Sequence, residues 1–278
     1  MLTRIKSLDR RVIYLVLVIV MAIPFIKPVR LPLSISEETE SAFRRVDNLK
    51  PGDVVVVLPN YSPNARAENH PQLEAIMAHV LSKPGMKIIT ASFWEMGPLF
   101  ARELWDTLGN SDLTYGEDYV DLGYVPGGET AMSAFANDIH KTFPVDQYGT
   151  PVGEIPLMQS VRTAADITLI ISSESGTPGT PELVRQIQNP FKTDLIGGYA
   201  AQFAPTYMPY FDSGQIKGLL AGLRGAAEYE LLTAKPGQGS SGFGSVTFAM
   251  LTVIAFVILA NIVYFTDEKQ SSKGGSSN

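Results

Sequence analysis

Asp53–Leu58 (DVVVVL) is a short β-branched run that follows the turn residues Pro51 and Gly52. It is apolar at every position rather than every second one, so it has no face to offer water. Strands of that kind are buried on both sides, as in a parallel sheet covered by helices. Outward from it, the signal recurs at Met86–Ala91 (MKIITA), weakly at Asp118–Leu122 (DYVDL), strongly at Ile167–Ser172 (ITLIIS) and briefly at Thr193–Gly197. Helical spacing fills the intervals: Gln72–Ser82 (Leu73, Ile76, Met77, Val80, Leu81), Leu99–Leu108, Thr130–Thr142, Pro181–Gln188 and a long Gly214–Leu232. Ahead of the first strand, Ser34 or Ser36 can cap a short helix through Asp47. Glu37, Glu38 and Glu40 lie in its first turns, where the helix dipole favours them. Strands alternating with helices predict right-handed β-α-β units. The expected fold is α/β: a single doubly wound, mostly parallel sheet over residues 51–234.

Two apolar segments bracket this domain. Val12–Ile26 (VIYLVLVIVMAIPFI) lies between Arg10, Arg11 and Lys27, and Val246–Phe265 (VTFAMLTVIAFVILANIVYF) precedes Asp267, Glu268 and Lys269. At about 1.5 Å per residue the second reaches about 30 Å, the thickness of a bilayer core, and the first about 22 Å. Snorkelling of Arg11 and Lys27 closes the shortfall. No A-x-A pattern follows the first segment, so it reads as an uncleaved signal anchor. Arg4, Lys6, Arg10 and Arg11 before it, with Lys269 and Lys273 after the second span, place both tails inside and the domain outside the cytoplasm. The second segment carries the amide Asn261 and the small residues Ser245 and Ala249. It reads either as a plain anchor or as a helix that meets another transmembrane helix through these positions. Residues Lys27–Leu33 (KPVRLPL) read as an extended exit from the membrane. Lys235–Ser245 (KPGQGSSGFGS) reads as a flexible Gly/Ser linker, and the residues from 266 to 278 as a disordered tail.

Composition narrows the chemistry. The chain has no cysteine, which excludes disulfides, thiolate metal sites and cysteine nucleophiles. Its formal net charge is -6, and its N-terminal tail is basic, so the domain is acidic. An acidic domain repels nucleic acid. The implied partners are the lipid bilayer and a membrane protein, or a second copy of the chain.

In an open parallel sheet, ligands bind beyond the carboxyl ends of the strands. The loops that follow the strands are Pro59–His70, Phe93–Pro98, Gly123–Glu129, Ser173–Thr180 and Tyr199–Pro205. The candidate ligand-binding residues on them are His70, Glu95, Gly127, Gly128, Ser173, Glu174 and Ser175. The glycine-containing turns either point backbone N–H groups at an anion or only permit tight turns. Neither of these turns is G-x-G-x-x-G, and neither has the G-K-[ST] of a P-loop, so the cofactor is left unknown. A hydrolase would recruit Ser173 or Ser175, His70 and an acid such as Glu68, Glu95 or Glu174. G-x-S-x-G and H-E-x-x-H are both missing, and no metal site is expected. In Gly214–Leu232, Gly218, Gly222 and Ala226 recur every four residues. They form a smooth helical face for close packing on the sheet or on another subunit.

Asp118–Glu129 (DYVDLGYVPGGE), Tyr148–Pro151 (YGTP) and Leu223–Glu230 (LRGAAEYE) resemble stretches of a poorly characterised group of membrane-anchored prokaryotic α/β proteins. The resemblance covers most of the domain. It implies a single domain and a prokaryotic source, and it assigns no catalytic residue. Two functional classes stay open. One is a binding or scaffold subunit of a membrane complex. The other is a membrane-tethered hydrolase or transferase acting at the strand ends.

Overall fold

A computed structural model describes residues 9–27, 32–109 and 112–274 of the 278-residue chain. The basic residues 1–8, most of the expected proline-rich exit (28–31) and the last four residues lie outside the described set. The chain forms two units. Leu33–Gly239 is one, and the two chain ends, Met1–Pro32 and Ser240–Asn278, form the other.

The larger unit holds one six-stranded, all-parallel sheet: β1 Val54–Asn60, β2 Lys87–Ser92, β3 Tyr119–Tyr124, β4 Leu169–Glu174, β5 Asp194–Tyr199 and β6 Gly218–Ala221. Their spatial order is β3-β2-β1-β4-β5-β6, so the winding reverses between β1 and β4. That is the doubly wound order, with its ligand crevice expected at the reversal. Val55 sits beside Ile88 on one flank and Leu169 on the other, the register of a central strand.

The valine run alternates between two cores, as a pleated strand must. Val56 and Leu58 pack with Met132, Phe135 and Leu183 on one face. Val55 and Val57 pack with Leu73, Ile76, Met77 and Tyr229 on the other. Each fully buried side chain of this size contributes about 2 kcal/mol. The second face is covered by α2 Glu37–Asp47, α3 Arg66–Leu81, α4 Gly97–Leu108 and α10 Gly222–Leu232. The first is covered by α5 Glu129–Asn137, α6 Ile139–Thr142, the helical stretch Thr180–Phe191 (α7 Thr180–Leu183, a π turn Val184–Gln188 and α8 Asn189–Phe191) and α9 Ala204–Asp212. Ser36 does stand at the start of α2. Its hydroxyl, however, donates to Glu228 Oε2 of α10 (2.6 Å) and accepts no cap bond from the helix backbone.

Two expectations change. The long helix Gly214–Leu232 is a strand and a helix: Gly218–Ala221 forms β6, and α10 starts at Gly222. Gly222 makes the break at φ +56°, a conformation that other residues rarely adopt. Gly218 admits α2 against β6, since a Cβ there would lie 2.4 Å from the Ala42 backbone. The small residues spaced by four thus serve a strand–helix junction, not a helix face. Most of the Gly/Ser stretch is helical: α11 begins at Gln238 and runs to Gly274, through most of the expected disordered tail. The Glu230 carboxylate accepts from Gly237 N and Gly239 N (both 2.7 Å). These are the kind of backbone donors that a helix start leaves without partners.

In the smaller unit, α1 Arg10–Ile26 meets α11. Ser245 Oγ donates to Met21 O (2.8 Å), and Gly244 packs on Pro24. Ala249 is half-buried. Asn261 is exposed and donates to Val257 O (2.8 Å) of its own helix. By length and composition, Gln238–Thr266 can cross a membrane, and among the described residues it is the one helix that passes this test. α1, at 17 residues, is shorter.

Candidate functional site

The carboxyl ends of the strands are cross-tied by their own loops. Asn60, the last residue of β1, accepts at Oδ1 from Ser92 Oγ (3.0 Å) and Phe93 N (3.1 Å), which binds the end of β2 to that of β1. At the reversal between β1 and β4, Ser62 N donates to Ser175 Oγ (2.9 Å). Trp94, after β2, donates its indole N–H to Pro178 O (2.9 Å) after β4. Glu68 Oε2 accepts from Ala201 N (2.8 Å) after β5. The Arg185 guanidinium grips both Glu129 oxygens (3.0 and 3.1 Å).

Beneath these ties lies a buried polar layer. Asn69 Nδ2 donates to Ser173 Oγ (2.9 Å) and Glu174 O (3.0 Å). One turn on, Gln72 Nε2 donates to Tyr199 O (2.9 Å) and Gly222 O (3.0 Å). The two carboxamides therefore hold the ends of β4, β5 and β6. Asn69 and Gln72 escaped the sequence reading. Their signal was two polar residues, each four positions before an apolar one (Leu73 and Ile76), on the stripe that faces the sheet.

Several expected loop residues are not loop residues. His70 lies in the second turn of α3 and is 1% exposed. The helix starts at Arg66, ahead of the apolar pattern, because Asn69 and Gln72 anchor its first turns to the sheet. His70 Nδ1 lies 2.7 Å from the Tyr61 hydroxyl, and its Nε2 lies 3.3 Å from Glu74 Oε1. Ser173 and Glu174 belong to β4 and are fully buried. Glu174 Oε1 accepts from Thr180 N (2.7 Å), and burial pushes its carboxyl up to about 7. Ser175 is half-buried, Glu95 is exposed, and Gly127 and Gly128 lie at positive φ where the chain turns into α5.

These groups do not converge. Among the described residues, no hydrogen bond joins any two of Glu68, His70, Glu95, Ser173 and Glu174; all but the exposed Glu95 are held by other partners. A nucleophile–base pair would need such a bond. Among the described residues, no three of His, Asp and Glu stand together as a metal site. What the strand-end face offers instead is a depression of about 410 Å³ between α3 and α4. Pro63, Met96, Leu99 and Phe100 form its apolar part, and the Arg66–Glu103 ion pair stands at its edge. Leu99 is 53% exposed.

The burial of His70 makes its truncation costly. His70→Ala leaves a cavity and a buried Tyr61 hydroxyl without its partner. A loss of about 2–4 kcal/mol is expected in urea unfolding of the detergent-solubilised chain. A change below about 0.5 kcal/mol, the usual cost at a surface position, would contradict the buried placement.

No protein family, curated protein or solved structure matches this chain.

Proposed function

We propose that the chain is a membrane-anchored α/β binding or scaffold subunit of a membrane protein complex, with the strand-end face as its contact surface. The observation that carries the reading is how the polar groups at the strand ends are used. Asn69, Gln72, Ser173, Glu174 and Ser175 hold loops and strands together, so the face is a braced surface and not an open chemical cleft. The depression around Leu99 supplies a half-exposed apolar anchor beside charged side chains, the composition that suits a protein contact. The second reading is a tethered hydrolase or transferase. Glu174 favours it, because a carboxyl near 7 suits general acid–base work.

Gln238–Thr266 anchors the chain, and Arg10–Ile26, flanked by basic residues, is proposed as a second membrane segment that leaves the domain outside the cytoplasm. Carbonate extraction is expected to leave the chain in the membrane pellet, and a variant without residues 1–30 should stay there with it. Release of that variant would remove α11 as an anchor. Binding is tested by purification in mild detergent with identification of whatever copurifies, comparing wild type with Leu99→Glu. The substitution is expected to leave stability within about 0.5 kcal/mol and to strip a stoichiometric partner from the chain. An unchanged partner set would remove this face as the contact.

A further inference from the structure

β4 ends in a carboxyl group that no cation among the described residues neutralises. Glu174 is fully buried. It accepts from Thr180 N (2.7 Å) at Oε1 and weakly from Ser172 Oγ (3.4 Å) at Oε2. The ionisable groups around it are acids and phenols. Glu182 of α7 accepts from Gly179 N (2.8 Å) and is paired with Arg185 (2.9 Å). Tyr199 of β5 reaches Thr180 Oγ1 (2.6 Å), and Tyr207 of α9 stacks on Tyr199 with ring centres 4.1 Å apart. Tyr210 stands one turn further along α9. From α3, the neutral Asn69 amide touches only the Glu174 backbone oxygen. Among the described residues, no Lys, Arg or His donates to this carboxyl.

The segment Ser175–Gly179 covers the group. Gly179 approaches so closely that a Cβ there would lie 2.7 Å from Glu174 Cδ. On its outer side the segment is held by contacts to neighbouring loops: Ser175 Oγ to Ser62 N and Ser62 Oγ (2.9 and 3.0 Å), Pro178 O to the Trp94 indole, and Gly176 against the Trp94 ring. Thr177, at its tip, is exposed.

We propose that Ser175–Gly179 is a pH-operated flap over the reversal point of the sheet, closed while the Glu174 carboxyl keeps its proton and released when that proton leaves to solvent. A carboxylate at this position has the Thr180 hydroxyl and backbone N–H, one distant Ser172 hydroxyl and the neighbouring Glu182 charge in place of water, so burial still outweighs these bonds and ionisation favours lifting the cover to admit water. Opening breaks the Ser62 and Trp94 ties and uncovers Glu174. Burial pushes the carboxyl up to about 7, which puts the transition between closed at acid pH and open at alkaline pH. The device stands whether or not the face binds a partner.

Trp94 is its built-in reporter. Fluorescence of the full chain in detergent, titrated across about pH 5–9, is expected to show one transition centred near 7. The transition should vanish in Trp94→Phe, which identifies the signal, and in Glu174→Gln, which identifies the group. Glu182→Gln should move the midpoint to lower pH. A flat wild-type titration overturns the proposal. So does a transition that survives in Glu174→Gln, since another group would then be its source. If Glu174→Gln does not fold, the Glu182→Gln midpoint decides: a downward shift supports the flap and an unmoved midpoint overturns it.

Discussion

Gly218→Val is expected to cost about 3 kcal/mol or more, enough to unfold a domain of ordinary marginal stability under mild conditions. Valine is a favoured strand residue, so propensity alone predicts a neutral or stabilising change. Packing predicts the opposite. The new Cβ would fall 2.4 Å from the N, Cα and Cβ atoms of Ala42, and these belong to a helix that cannot swing aside like a long side chain. α2 would have to lift from β6, breaking its Thr39 contact to Leu219 O and disturbing Val46 in the core. Urea unfolding of the full chain in detergent reads the effect, with Gly218→Ala as the smaller step. An unchanged midpoint for valine would contradict the seating of α2 on β6.

The second large effect is pH-dependent. In the folded chain the Glu174 carboxyl sits near 7, well above its ordinary value of 4.5. The folded state therefore binds the proton more tightly than the unfolded state does. Its contribution is fully present below about 4.5 and is lost as pH rises toward and through 7. The loss reaches at most about 3 kcal/mol, and release of the covering segment makes it smaller. Glu174→Gln keeps the shape and an acceptor for Thr180 N but cannot ionise. It should match wild type near pH 4 and be the more stable protein at pH 8, as read from denaturation midpoints at both pH values. Equal stabilities at pH 8 would mean that the buried carboxyl carries no penalty.

What the sequence revealed follows from which signals are local. Four valines in a row can be buried only on both sides, so the central strand and the α/β class were legible from Asp53–Leu58. β6 was not. Its two leucines are flanked by Gly218 and Ala221–Gly222, and small residues spaced by four mimic a helix face; only the approach of Ala42 distinguishes the two. The site was less legible still. His70 and Glu174 look like exposed loop residues because polarity and a neighbouring proline or glycine suggest a loop. Their burial depends on partners distant in sequence, or across a turn: Asn69 fixes the start of α3 on β4 and β5, and Gly179 covers Glu174. The helical state of most of the Gly/Ser stretch was hidden for a similar reason. Glu230 and the Ser245–Met21 bond supply what composition cannot show.

The central claim, that the strand-end face is a contact surface, is tested most directly by a photo-crosslinking amino acid placed at Leu99 in the full chain in native membranes. Glu117, exposed at the opposite end of the sheet, serves as the control position. The expected result is one discrete adduct from position 99, with a membrane protein or a second copy of the chain, and none from position 117. No adduct from position 99, or the same adducts from both positions, would contradict it.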